Sequence, residues 1–379
     1  MKSIQEIREQ FPTAKNRVFM NHAAISPPPK PVFEAMQNHL EEFSKTGIIL
    51  LPELDDGKKS FAKLINAKPE EIALVPNTST GLNIVANMLN YPSGSNVVVT
   101  DLEYPSVVYP WLKKKLGVEV RYVKNVKGKI LLRDVEEAVD DKTAAVAISH
   151  VEYVNGFRNN LGAIAKIAHE HQAFLIVDAI QSAGAIQINV KRDDVDFLTA
   201  GCYKWLLGPA GAGYLYVRRE LVEKFEPPFI GWASVKPEVF ETIDFWDIWN
   251  LKLSETASRF EVGGPSIIGF IGAAAALKLL LDVRTEYIEK RILDLTTYLM
   301  ERIKELGFKL QTPEEKECRS GIVHFYIENS EKIVEKLQKK GIIVSARARG
   351  IRVSPHFYNT KEEVDRFLSE FSKAILIES

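Results

Sequence analysis

The stretch AFLIVDAIQSAG, residues 173–184, and the stretch DFLTAGCYKWLLGPAGAGYLYV, residues 196–217, decide the fold. The first is an apolar run that ends at Asp178 and breaks into a turn, the end of a strand at which open α/β sheets bind ligands. The second sets Lys204 among apolar and aromatic neighbours, just before a glycine-rich turn that leads into another strand. Gly208, Gly211 and Gly213 stand in the wrong order for a dinucleotide fingerprint and precede a strand instead of opening a helix, so NAD binding is rejected.

Outward from these stretches, IALVP, NVVVTD, VEVRYV, AAVAISHV and GYLYV repeat the pattern of short β-branched runs between amphipathic segments. That rhythm predicts a βαβ sheet. Several runs are apolar almost throughout, as expected of mostly parallel strands covered by helices on both faces. FAKLINA, TGLNIVANMLN, LRDVEEAV and LGAIAKIAHEHQ carry apolar residues three or four apart and are expected helices. Residues 222–262 are rich in Pro and Trp and read as an ordered functional loop region. Beyond them, IIGFIGAAAALKLLLDV and YIEKRILDLTTYLMERIKEL read as long helices, followed by GIVHFYI, a helix at EKIVEKLQKK, and strands near GIIVSA and GIRVSP. This is a smaller α+β domain, and Thr360 with Glu363 three positions on marks the start of its last helix.

The 379 residues, 46% of them hydrophobic, suffice for a large core and suggest two domains. A net charge of −1 gives no footprint for nucleic acid or an anionic membrane. Only Cys202 and Cys318 are present, far apart and without a Cys/His ligand pattern, which argues against a disulfide framework or a structural zinc. No metal site is expected. The first residues carry alternating charges and no apolar signal-peptide core, and no later segment is long and apolar enough to span a bilayer, so a cytoplasmic protein is expected.

Four further segments carry chemistry. In IALVPNTSTGLNIVANML, residues 72–89, Thr78 and Ser79 stand at a helix start, suited either to a phosphate or to simple capping. Tyr104, in DLEYPSVVYPW, offers an aromatic face to a planar ring, or packs. Gln181 follows Asp178 by three. Arg352, inside the expected strand GIRVSP, is a natural clamp for a carboxylate, whereas Arg347 and Arg349 are expected to face solvent. A buried lysine favours its neutral, nucleophilic form. An acid opposite a pyridine nitrogen keeps that nitrogen protonated and strengthens the ring as an electron sink. These parts point to pyridoxal phosphate (PLP), with Lys204 making the Schiff base, Asp178 at the pyridine nitrogen and Gln181 at the phenolic oxygen.

The same segments resemble the class V aminotransferase family of fold type I PLP-dependent enzymes, which includes cysteine desulfurases, isopenicillin N epimerases and kynureninases. The likeness runs from about Phe19 to the C-terminus. Its anchors are FMNHAAISPPP, NTSTGLN, DAIQSAG, YKWLLGPAGAG, RFEVGGPS and IRVSPHFYNT. The resemblance implies an α/β fold: a large PLP-binding domain, residues 21–262, with a mostly parallel seven-stranded sheet, and a small α+β domain, residues 263–379, against which residues 1–20 pack. It implies Thr78, Ser79 and Tyr203 for the phosphate, Tyr104 for the ring face, Lys204 as catalytic residue, and Ala24 and Arg352 for the substrate. It also implies a homodimer with its active site at the subunit interface.

Departures bear on the substrate. Desulfurases carry a nucleophilic cysteine in the loop before the clamp arginine, and here that loop reads SARARG, so persulfide chemistry is disfavoured. The family's GTP is Gly263-Gly264-Pro265, which leaves the backbone of Gly264 or the Ser266 hydroxyl to meet the partner's phosphate. Tyr153, in SHVEYVNG, is nearer to the epimerase-like branch. Trp232, Trp246 and Trp249 either line the substrate side or pack. The expected function is an enzyme acting at the α-carbon of an L-amino acid, first of all an aminotransferase. A C–S lyase, a desulfurase-like or epimerase-like enzyme is the alternative, and a PLP-binding protein without catalysis is the rival outside enzymes.

Overall fold

The computed structural model describes residues 3–48, 52–236 and 249–376. In chain order its strands are β1 (Val18–Phe19), β2 (Ile72–Val75), β3 (Asn96–Thr100), β4 (Glu119–Val123), β5 (Thr143–Ser149), β6 (Phe174–Asp178), β7 (Phe197–Gly201), β8 (Gly213–Val217), β9 (Val323–Tyr326), β10 (Ile342–Ile343), β11 (Ser345–Arg347) and β12 (Gly350–Val353). Seven form one sheet in the order β2-β8-β7-β6-β5-β3-β4. The pairs from β7 to β4 are parallel, and β8 runs antiparallel to both β7 and β2. This is the α/β, mostly parallel seven-stranded sheet that the resemblance implied.

Both faces of the sheet are dry, which explains the unbroken apolar runs. In β5, Val146 and Ile148 join one buried cluster while Ala145 and Ala147 join the other. β4 is the edge strand, and there the pattern relaxes to include Glu119 and Arg121. β7, FLTAG, is the strand that the runs in the sequence did not single out. It is short, with Thr, Ala and Gly for three of its five residues, yet fully buried between β6 and β8.

The direction of the strands assembles the site. β3, β5, β6 and β7 are parallel, and β2, antiparallel to the antiparallel β8, points the same way. Five carboxyl ends therefore converge on one edge, carrying the chain into Thr78, Tyr104, Ser149, Asp178 and Lys204.

A three-stranded antiparallel sheet, β11-β12-β9, shares a core of its own with the helices Thr285–Glu305, Ser330–Lys339 and Lys361–Leu376, a unit called the small domain below. Its core takes in Val18 and Met20, and β1 pairs in parallel with β10. The helix Ile267–Val283 packs instead against the helices Lys30–Thr46 and Pro52–Ile65, with Phe270, Ala273, Leu277 and Leu280 in the main core. Thr360 and Glu363 form the expected reciprocal cap, at 3.3 and 3.1 Å. Of residues 222–262, Trp232–Ser234 and Ala257–Phe260 are single 3₁₀ turns. Trp246 lies outside the described residues.

Candidate active site

Lys204 follows β7 at the convergent edge and is 9% exposed. Its Nζ lies 5.7 Å from the ring centre of Tyr104 and 5.8 Å from that of Tyr203. Burial, with Arg352 and Arg347 adding to it, lowers its pKa to about 8 against the opposing pull of Asp178. An amine there is neutral far more often than one in water.

Asp178 closes β6 and is 3% exposed. Burial raises its pKa to about 6, moderated by the Ile180 N–H, which donates to Oδ1 at 2.8 Å, and by Lys204. Gln181 is buried and already engaged. Its Oε1 accepts from Trp205 Nε1 at 2.9 Å and its Nε2 donates to the carbonyl of Ala23 at 3.0 Å, leaving one Nε2 hydrogen for another acceptor. Ala24 follows directly and is half-buried.

At the end of β2, Asn77, not Thr78 or Ser79, is the N-cap of the helix Thr78–Met88 and accepts from Thr80 N–H. Capping is therefore supplied by a neighbour, and Thr78 and Ser79 occupy the first helical positions with their own amides directed at the open end. Thr78 Oγ1 accepts from Gly201 N–H at 2.8 Å, which ties the helix start to the strand that delivers Tyr203 and Lys204. Ser79 is exposed and shares a hydrogen bond of 2.8 Å with Ser106.

Tyr104 is 47% exposed and meets Tyr153 edge to face at 5.2 Å. Beneath it lies a pair the sequence did not single out. Glu103 accepts from the Ser149 N–H and hydroxyl at 2.6 and 2.5 Å, and burial raises its pKa to about 8 with Asp178 contributing. Glu152 is a second buried carboxyl group, and burial, with Glu103 beside it, pushes its pKa well up. An acid immediately before Tyr104 was the available sequence signal.

Arg352 lies in β12 and is 2% exposed. Its Nη1 donates to the Tyr153 carbonyl at 2.7 Å, its Nε has no partner, and no carboxylate acts on it among the described residues. Burial and Arg347 lower it to about 10. A buried guanidinium without an acid is costly, and a ligand carboxylate would relieve it.

Lys204, Asp178, Gln181, Tyr203, Thr78, Ser79, Tyr104 and Arg352 thus gather around one edge. Gly264 is not part of that group in the single chain. With φ of +57° and open space at its Cα, it lines a 480 Å³ cavity with Pro76, Thr80 and Phe270. Neither cysteine reaches the site as a thiolate. Cys202 is fully buried with its thiol pushed up, and Cys318 lies in a separate cavity beside Arg158. Arg347 and Arg349 are exposed. Trp232 and Trp249 are exposed as well.

The fit to PLP rests on what is left unmet among the described residues: the Lys204 amine without a hydrogen bond, an open helix start tied to the next strand, and an orphaned guanidinium Nε. These are the three places where an aldehyde, a phosphate and a substrate carboxylate would be held.

The Aminotransferase class-V family profile matches residues 18–367. The uncharacterized aminotransferase YcbU of Bacillus subtilis is 31% identical, with 97% of each chain covered. A protein of Pyrococcus abyssi named probable cysteine desulfurase is 30% identical over 99% of this chain and 98% of its own. The apo structure of a cysteine desulfurase from Thermococcus onnurineus superposes with a TM-score of 0.89 at 29% identity, covering 100% of this chain and 99% of that one. The cystine C-S lyase C-DES, solved as a complex with cysteine persulfide, superposes at 0.87 with 23% identity, a likeness of fold alone. With the profile covering nearly the whole sequence, the chain belongs to the class V aminotransferase family.

Proposed function

We propose that this protein is a PLP-dependent enzyme acting at the α-carbon of an L-amino acid, first of all an aminotransferase. The observation that carries the reading is a buried lysine of lowered pKa and, near enough to act on it, a buried arginine on which no acid acts among the described residues. Lys204 would hold PLP, Asp178 its pyridine nitrogen, Gln181 its phenolic oxygen, Thr78, Ser79 and Tyr203 its phosphate, and Tyr104 its face. When bound, the cofactor supplies an electron sink for negative charge at the substrate's α-carbon.

The chain does the rest. Arg352 takes the substrate carboxylate, beside Ala24, and so fixes which bond at the α-carbon stands across the ring. Lys204 Nζ, neutral for a large fraction of the time near pH 8, moves the α-proton. Asp178, with a pKa of about 6, remains mostly ionised at pH 7. Trp205 and Gln181, both buried, hold each other by the indole N–H that donates to the amide oxygen. A C–S lyase or epimerase outcome shares the first proton transfer and differs in the next bond. Persulfide transfer through a protein thiol is disfavoured by the positions of Cys202 and Cys318.

We also propose a homodimer. Phe33, Leu40 and Phe43 are exposed on the helix Lys30–Thr46, beside exposed Ile25, and isolated soluble chains rarely show so much aromatic and aliphatic surface along one helix. No helix among the described residues is long and apolar enough to cross a membrane. Two free thiols fit the reducing cytoplasm. The deciding experiment incubates the purified, PLP-loaded protein with each L-amino acid, with and without a keto acid, and assays keto acid, sulfide and D-enantiomer together. Keto acid formed only with an acceptor supports transamination. Sulfide or D-enantiomer instead would replace it by one of the alternatives.

A further inference from the structure

The small sheet has one oily face and one charged face. Ala346, Ile351 and Phe325 stand opposite one another across β11, β12 and β9, and Ile351 and Phe325 belong to the small-domain core. Residues directly opposite across an antiparallel pair project to the same side, as do residues two apart on one strand. The other face therefore carries two rows: Ser345, Arg352 and His324, then Arg347, Gly350 and Tyr326. Arg347 and Arg352 are diagonal neighbours on one face, with Ser345 between them.

The first of these rows is unfinished. Ser345 Oγ, Arg352 Nε and His324 Nδ1 are all buried and, among the described residues, all without a hydrogen-bond partner. His324 Nε2 meets the Arg347 carbonyl at 2.9 Å and must donate there, so Nδ1 is a bare acceptor. The ring reaches that carbonyl across Gly350, where a Cβ would come within 2.7 Å of Nε2. The link between β11 and β12 is as short as a hairpin permits. Its two central residues, Ala348 and Arg349, have φ of +42° and +57°, in the left-handed region that such turns usually give to Asn and Gly. A turn this tight holds Arg347 at the sheet's end, in the segment where desulfurases carry their cysteine loop.

The charges are not balanced. Lys204, Arg352 and Arg347 are cations that act on one another, and Asp178 is the acid acting on Lys204. Burial pushes Glu103 and Glu152 toward their uncharged forms. A substrate α-carboxylate answers Arg352. Arg347 forms no ion pair among the described residues, and its Nη1 donates to the carbonyl of Ala346 at 3.2 Å.

We propose that Arg347, with the Ser345 hydroxyl beside it, is a second anion site that receives the side-chain carboxylate of the substrate, so that the amino donor is a dicarboxylic L-amino acid. This rests on the proposed reaction at the α-carbon and names its substrate class. The flat fork of the guanidinium suits a carboxylate, and the two arginines on one face set the distance between the two anions.

The test compares the PLP-loaded wild type with Arg347→Gln, Arg347→Lys and Arg349→Gln. Steady-state rates are measured with L-aspartate, L-glutamate, L-asparagine and L-glutamine, and the affinity for glutarate, an unreactive dicarboxylate, is measured by titration. The wild type is expected to favour the acids over their amides. Arg347→Gln lowers kcat/KM for the acids by about 10- to 100-fold and weakens glutarate by a similar factor, the size of one lost charge-assisted contact. It leaves the amides within about twofold. Arg347→Lys recovers part of the loss, and Arg349→Gln resembles wild type. A wild type that prefers the amides, or an Arg347→Gln variant that loses acids and amides alike, overturns the proposal. A protein that takes up no PLP removes the parent reading, while glutarate binding that depends on Arg347 reports on the anion site even without turnover.

Discussion

The two walls of the site are built on opposite rules. On the large-domain side, polar groups are answered from within the chain: Asp178 by the Ile180 amide, Gln181 by Trp205 and Ala23, Thr78 by Gly201. On the small-domain side, the polar row Ser345, Arg352 and His324 keeps three unanswered atoms. The first wall has these side chains held before any ligand arrives, with the Lys204 amine and the helix start at Thr78 left open for a cofactor, and in that sense is finished; the second is finished by a ligand. A finished wall suits a cofactor that stays; an unfinished one suits a substrate that comes and goes, because the missing partner is what binding provides.

The sharpest way to break this contrast is at Lys204. Lys204→Ala is expected to lose the yellow lysine-linked absorbance and to cut turnover by about 10⁴-fold, the upper range for a positioned proton-transfer group. Absorbance spectra of the purified variant check it, and a variant that keeps the lysine-linked band would place the linkage elsewhere. Next in size, Arg352→Ala is expected to raise the KM for amino acids by on the order of 10²-fold, the loss of charge-assisted contacts, with the cofactor spectrum unchanged. If that variant lost PLP and handled substrate normally, the two walls would have exchanged roles.

The smallest effect is in pH. Lys204 is depressed to about 8, so the rate at which the apo protein takes up PLP should rise with pH to a midpoint near 8. The ammonium form predominates below that midpoint and the nucleophilic amine above it. Arg352→Ala removes a cation that disfavours the ammonium and should move the midpoint up. Asp178→Asn removes the anion that favours it and should move the midpoint down. Stopped-flow absorbance across the pH range reads both directions, and a midpoint indifferent to either change would mean that the walls are electrically separate.

The finished wall was the legible one. Asp178 announces itself because an apolar strand ends at it, and a strand end in an α/β sheet is a place known in advance; Lys204 does so because it stands among apolar and aromatic residues just before a glycine-rich turn. β7 was harder, since FLTAG has too little apolar bulk to stand out, and only its neighbours make it a strand. The partners of Gln181 and the true cap, Asn77, are local details that hydrogen bonding resolves. The unfinished wall was legible only at Arg352. Ser345, His324 and Arg347 lie 28 or fewer positions from it in sequence, but their common face depends on the register of two antiparallel pairs. Register is not written in a single strand. Arg347 is solvent-facing, as expected, and the register adds that the solvent it faces lies beside Arg352.

Trp205, next to the lysine, is held from every direction. Its indole donates to Gln181, its carbonyl accepts from His356 Nε2 at 3.0 Å, and Gly184 and Gly321 are glycines where a Cβ would strike its carbonyl at 2.3 Å and its ring at 2.4 Å. Gly184 belongs to the large domain's turn after Asp178, while Gly321 and His356 belong to the small domain. The residue beside Lys204 is therefore a rivet through both domains. A swing of one domain against the other would have to shear at this point or carry the lysine with it, so the geometry of the amine and the separation of the two walls are a single mechanical variable.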